Sequence, residues 1–266
     1  MTTEGSIQST GHSWFQIKSV DKKIRELESF LSQSLALTNS INCDFNPGRD
    51  LEVLTPAELP SKPGIASKEG QARLLHDLAN IELQAMELAV RTLQEFPEAD
   101  ADFRNELTDL ALSESRHLGL CLEGLRKLGF QWGDWPVHLS LWQAVSSENS
   151  LLDRIFIVHR HLEGSGLDAG ESILRRLHGV PGNDVKNIVR TIVDEEVAHV
   201  AFGSKWYHAI AKEHKIDLEF DFKTRMHSAF KLAPRRDKIA IDLRKQAGFT
   251  DFEIEAIRFC QQQKIC

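Results

Sequence analysis

Apolar residues recur at i, i+3, i+4 and i+7 over four long stretches of this chain, the period of helices with one buried face. The first covers about Lys68 to Glu95 and aligns Leu75, Leu78, Ala79, Met86, Ala89 and Leu93. The second, about Ala101 to Leu128, carries Phe103, Leu107, Leu110, Cys121, Leu125 and Leu128. A third, about Leu151 to Leu177, aligns Leu152, Ile155, Phe156, Ile173, Leu174 and Leu177; the fourth, about Asn183 to Lys212, aligns Val185, Ile188, Val189, Ile192, Gly203 and Trp206. Each is long enough to reach about 40 Å as a helix. Four prolines, Pro47, Pro56, Pro60 and Pro63, fall between Asn42 and Gly70, where they exclude helix. That stretch reads as an extended connector, preceded by a short amphipathic helix around Val20 to Leu37.

The connections set the expected pairing. FPEAD (Phe96 to Asp100) joins the first two helices and HGVPGND (His178 to Asp184) the last two, so each pair should form an antiparallel hairpin. Between the hairpins runs an aromatic-rich crossover, GFQWGDWPVHLSLWQAVSSENS. The expected fold is therefore all-α, a four-helix bundle with one long crossover over residues 71–215. Residues 1–70 would supply an N-terminal helix and Pro-rich connector. Residues 216–266 would form a C-terminal helical extension, with short helices around Phe222 to Leu232 and Thr250 to Gln261.

Polar residues interrupt the stripes at matching depths. Glu82 falls between Ala79 and Met86, a position that the helical period sends inward. Glu114 and His117 lie between Leu110 and Cys121, Glu163 follows His159 within the third stripe, and Glu196 and His199 lie between Ile192 and Gly203. Glu82 precedes Glu114 by 32 residues and Glu163 precedes Glu196 by 33, so each hairpin offers one Glu and then one Glu-x-x-His. Burying four carboxylates together costs several kcal/mol per ion unless cations compensate. Two divalent metals would do so, and the mixed N/O donor set suits iron or manganese better than structural zinc. Glu195 is a rival to Glu196, because Val185, Ile188, Ile192, Glu195 and His199 also make a helical row. Only Glu196 repeats the i, i+3 spacing.

Composition narrows the class without naming a partner. Hydrophobic residues make up 41% and charged residues 27%, and Gly and Pro number only 16 and 8, so disordered and collagen-like classes are excluded. The net charge of −7 argues against a surface that grips nucleic acid or anionic membrane overall. Cys43, Cys121, Cys260 and Cys266 form no CxxC pair and read as reduced thiols. No apolar run is long enough for a membrane span, and the N-terminus has no signal-peptide pattern, so a soluble cytoplasmic protein is expected.

The Glu/Glu-x-x-His pattern resembles the ferritin-like di-metal carboxylate proteins. Residue by residue, Glu82, Glu114, His117, Glu163, Glu196 and His199 match that motif. ANIELQAMELA, LALSESRHL, HRHLEGSGLDAG, IVDEEVAHVAFGSKWYH and RKQAGF look like a bacterial ferritin-like domain family of unknown function, over roughly Glu58 to Ile257. Many ferritin-like proteins place an Asp before each Glu-x-x-His to orient a ligand His; here Ser113 and Glu195 stand there, with Asp168 and Asp194 as other candidates. The resemblance implies a di-iron or manganese/iron oxidoreductase that activates dioxygen to oxidise or hydroxylate a small-molecule substrate. An electron-donor protein is a candidate partner and a dimer a candidate assembly, while the oligomeric state is not fixed by the sequence. Alternatives are metal storage by ferroxidase action, and a tRNA-modifying hydroxylase. A structural bundle with buried Glu/His pairs remains if no metal binds.

Other residues carry weaker signals. His159 is either a further ligand, a hydrogen-bond donor to one, or a packed histidine, whereas His161 is expected at the surface. His76 and Glu87 lie off the ligand row. Tyr207, the sole tyrosine, reads as packing or an interfacial hydroxyl. Trp132, Trp135 and Trp142 suggest a lid packed on helices. Lys223 to Lys245 holds eight Lys/Arg against two Asp, a solvated face or a phosphate footprint that keeps RNA in view.

Overall fold

Caps and apolar stripes place the helices close to where their period predicts. The computed structural model describes residues 13–180, 184–232 and 237–262. Its regular elements among these are helical, and an isolated parallel bridge joins Val53 to Val137. Pro181 to Asn183 of the expected connection, Pro234 to Arg236 of the basic segment, and Cys266 lie outside the described residues. The chain divides into two units, residues 1–148 and 149–266.

In the first unit, helix α1 spans Val20–Leu35, α2 Lys68–Glu95 and α3 Ala101–Lys127. Ser67 caps α2 by accepting from the Gly70 N–H, and Asp100 caps α3 by accepting from the Asp102 and Phe103 N–H groups. The five-residue connection makes α2 and α3 an antiparallel hairpin, with α1 packed on both. The α2 helix is buried along nearly its whole length, which forces its charged residues to find partners. Arg49 forks onto both oxygens of Glu87, at 2.8 and 2.6 Å, and Lys23 closes the same carboxylate from α1. Arg91 donates to Asp44 at 2.8 Å and to Glu95 at 3.0 Å. These buried pairs tie α1 and the connector to α2.

The beginning of the crossover is likewise fixed on α2. Gln84 donates to the His138 carbonyl at 3.0 Å and accepts from the Leu141 and Trp142 N–H groups, while Asn80 donates to the same carbonyl at 3.1 Å. A single 3₁₀ turn, Trp142–Ala144, follows. The expected Trp lid is thus packed on the first hairpin.

In the second unit, the expected third helix is in three parts. Helix α4 covers Leu151–Ile155, a π-helical segment Phe156–Leu162, and α5 Glu163–Arg176. The wider turns of the π segment, visible in the Glu163 N–H that reaches back to the Val158 carbonyl, rotate the residues after it. His161, expected at the surface, lies within this segment and is buried against Phe230, with ring centroids 5.3 Å apart. Helix α6, Asp184–Glu213, packs on α5 and on the π segment. At Gly203 the approach is so close that a Cβ would lie 2.5 Å from the His159 Cβ.

Helices α7 (Leu218–Leu232), α8 (Ile241–Gln246) and α9 (Asp251–Gln262) complete this unit, α8 being one element that the apolar pattern did not predict. They are held by buried charges: Arg244 forks onto Asp168, and Arg160 pairs with Glu253 while lying 3.9 Å from the centre of the Phe249 ring. Tyr207 is packed among Phe156 and Phe222, and its hydroxyl donates to Asp221 at 2.7 Å. No helix among the described residues is long and apolar enough to cross a membrane.

Candidate metal centre

In the first unit, α2 and α3 bring three of the expected ligands together. Glu114 and His117 lie one turn apart on the inner face of α3, both fully buried, and Glu82 faces them from α2. The His117 Nδ1 is 3.5 Å from a Glu82 oxygen and 3.6 Å from a Glu114 oxygen. Cys121 follows on the same face of α3. Burial, and then the charge of Glu82, push its thiol well above the ordinary range, so it stays protonated.

In the second unit, Glu196 and His199 repeat the i, i+3 arrangement on α6. The His199 Nδ1 is 3.4 Å from a Glu196 oxygen. Glu163, the first residue of α5, is engaged differently: the His159 Nδ1 lies 2.9 and 2.8 Å from its two oxygens. His159 is buried, and its Nε2 has no hydrogen-bond partner among the described residues.

The expected orienting carboxylates do other work. Asp168 accepts from Arg244 and from the Ala240 N–H, and Asp194 is exposed. Ser113 accepts from Arg116 at 3.1 Å. Glu87, off the ligand row, holds α1 and the connector. Burial raises its carboxyl, yet Arg49 and Lys23 together hold it below the usual range. Glu114 and His117 in the first unit and Glu196 and His199 in the second are donors able to hold a metal ion, and their chemistry does not fix which.

Sequence reasoning missed the π segment that carries His159 and the burial of His161. A shift to i, i+5 hydrogen bonding leaves the composition of an apolar stripe intact, so the pattern holds no warning. It also missed the pairing of Glu87, although a carboxylate inside the apolar run Leu83 to Leu93 was a signal that a buried cation would meet it.

Comparisons with known proteins place the chain in a family. An uncharacterized protein of Haemophilus influenzae is 32% identical over 218 residues, covering 79% of this chain and 75% of its own. No solved structure gives a significant match. Residues 16–255 match a protein family of unknown function, DUF455, and the chain belongs to that family.

Proposed function

We propose that this protein is a ferritin-like di-metal carboxylate oxidoreductase in which Glu82, Glu114, His117, Glu163, Glu196 and His199 hold two ions of iron or manganese. In this reading residues 71–215 form the four-helix bundle, and Glu114 with His117 and Glu196 with His199 supply donors for the ions. The observation that carries it is the triangle of Glu82, Glu114 and His117. Its 3.5 and 3.6 Å separations exceed ordinary hydrogen bonds. Such spacing would suit donor atoms that hold a common ion and do not bond to one another. The 3.4 Å pair of Glu196 and His199 fits the same use.

When bound, such ions supply redox and Lewis-acid chemistry toward dioxygen and an organic substrate. The chain's own part is to neutralise them with four carboxylates, to exclude water by burying Glu114 and His117, and to fix orientation. His159 contributes to the last by holding both oxygens of Glu163. An electron-donor protein would complete the cycle.

Metal analysis by inductively coupled plasma mass spectrometry, on untagged protein from iron- and manganese-supplemented cells, tests the reading. It should find about two ions per chain, as the paired Glu-x-x-His motif implies. Glu114→Ala should lose metal and oxygen uptake together; a metal-replete, fully active variant sinks the proposal. Ferroxidase storage would demand a many-subunit shell, which size-exclusion chromatography detects. The tRNA hydroxylase reading has weaker support, because three of the cations that suggested it, Arg225, Arg244 and Lys245, are occupied by Asp153, Asp168 and Asp251.

A further inference from the structure

Arg73, His76 and Asn80 lie at i, i+3 and i+7 on α2, on one face of the helix, beneath the turn that opens the crossover. Arg73 is 1% exposed. Its Nε donates to Asp77 at 2.8 Å, but neither Nη has a hydrogen-bond partner among the described residues. His76 is fully buried, and its Nε2 accepts from the Gly133 N–H at 3.3 Å, which leaves the ring proton on Nδ1. That Nδ1 also has no hydrogen-bond partner among the described residues, and burial holds the imidazole neutral by lowering its pKa to about 4. Asn80 gives its amide hydrogen to the His138 carbonyl, while its Oδ1 accepts from nothing among the described residues. Idle buried polar groups are costly, so three within two helical turns call for an explanation.

The chemistry around them selects a ligand. Two guanidinium nitrogens and one imidazole N–H make a set of donors suited to an oxyanion, and the guanidinium fork matches a planar carboxylate. Asp77 offsets Lys62 beside Arg73, and Asp134 in the turn also acts on His76, so at most one unit of positive charge remains beside the neutral ring. That balances a singly charged carboxylate better than a dianionic phosphate. The walls are flat: the Trp132 ring stacks on His76 at 4.9 Å, and Trp135 meets His76 edge-on at 5.4 Å and Arg73 at 5.7 Å. Both indoles are half-buried, and on its outer side Trp132 donates to the exposed Asp50 at 3.0 Å. Gly133, at the tip of the turn, has φ +101°, a conformation that glycine adopts without strain.

We propose that this face of α2 binds the carboxylate of a small, flat organic acid, admitted when the Trp132–Trp135 turn swings off His76. Arg73 takes the carboxylate in its fork and His76 supplies the third donor. Asn80 accepts a hydrogen from a hydroxyl or amine on the acid, and the indoles cover its face. The site is independent of the metal reading.

Tryptophan fluorescence and thermal shift of the full chain, titrated with benzoate and with its neutral counterpart benzamide, test this on the unaltered protein. Benzoate should quench saturably and raise the melting temperature, and benzamide should do neither. Arg73→Lys keeps the charge but loses the fork, and should weaken benzoate at least about tenfold. Trp132→Phe should remove most of the signal. Glu114→Ala should leave benzoate binding unchanged, so failure of the metal reading and failure of this one are distinguishable. No saturable response up to about 10 mM benzoate, a range that covers very weak sites, overturns the proposal. So does equal binding by benzamide, by inorganic phosphate or by Arg73→Lys.

Discussion

Burial against two indoles, together with the Arg73 guanidinium, disfavours a protonated His76 more than Asp77 and Asp134 favour it, which is why its pKa falls from 6.5 to about 4. Above pH 6.5 the ring is neutral folded or unfolded, and the shift has no effect on stability. As pH falls from 6.5 toward 4 the unfolded chain gains a proton that the folded one refuses, so stability drops, by about 3 kcal/mol at the acid end. Glu87 adds to the loss at lower pH: its carboxyl lies below its ordinary value, so the stability it shares with Lys23 and Arg49 is present above about 4.5 and disappears as it takes a proton. Urea midpoints measured from pH 7 to 4 should therefore decline, and His76→Gln should flatten the decline between 6.5 and 4. An unaltered slope in that variant would show that His76 takes its proton as freely in the fold as in water.

At the level of elements, the π segment and α6 are joined through a single missing side chain. Gly203→Ala would place a methyl 2.5 Å from the His159 Cβ, with His159 backbone atoms at 3.2 and 3.4 Å behind it, so the neighbour cannot simply rotate away. The expected loss is about 1–3 kcal/mol, as for other overpacked contacts, read as a lower urea midpoint. Because His159 holds Glu163, metal content should fall too, whereas an alanine at the open position Gly166 should do neither. A Gly203→Ala protein as stable as the original would mean that the two segments slide apart without cost. Three of the four long helices were legible because apolar residues recur along one face of each: the periodicity predicts Lys68 to Glu95, and the helix has those bounds. The i, i+3 spacing of Glu114 with His117 and of Glu196 with His199 was legible for the same reason, since spacing on a helix is geometry. What depended on partners far along the chain was not. Nothing in the period of α2 reveals that Glu87 meets Lys23 and Arg49, or that Arg73 and His76 are sealed by indoles more than fifty residues away.

For the molecule as a whole, the ledger of buried charge ties metal to stability. Glu82 and Glu114 crowd one histidine in the first unit, and Glu196 lies beside another in the second. Without cations, such carboxylates repel one another and lose hydration; with the two proposed ions they become ligands, and binding free energy becomes folding free energy. An ion present at a hundred times its Kd adds about 2.7 kcal/mol, so two add about 5. At about 2–4 °C per kcal/mol for domains of 150–250 residues, chelation should lower the melting temperature by about 10–20 °C. The variant Glu196→Ala separates one shared centre from two separate ones. A centre that draws on both Glu-x-x-His pairs should lose the whole metal-dependent increment in scanning calorimetry when Glu196 is removed, although Glu82, Glu114 and His117 are intact. Retention of half the increment would instead assign each pair its own ion, and a melting temperature indifferent to both metal and chelator would leave the Glu/His set as structural charge pairs.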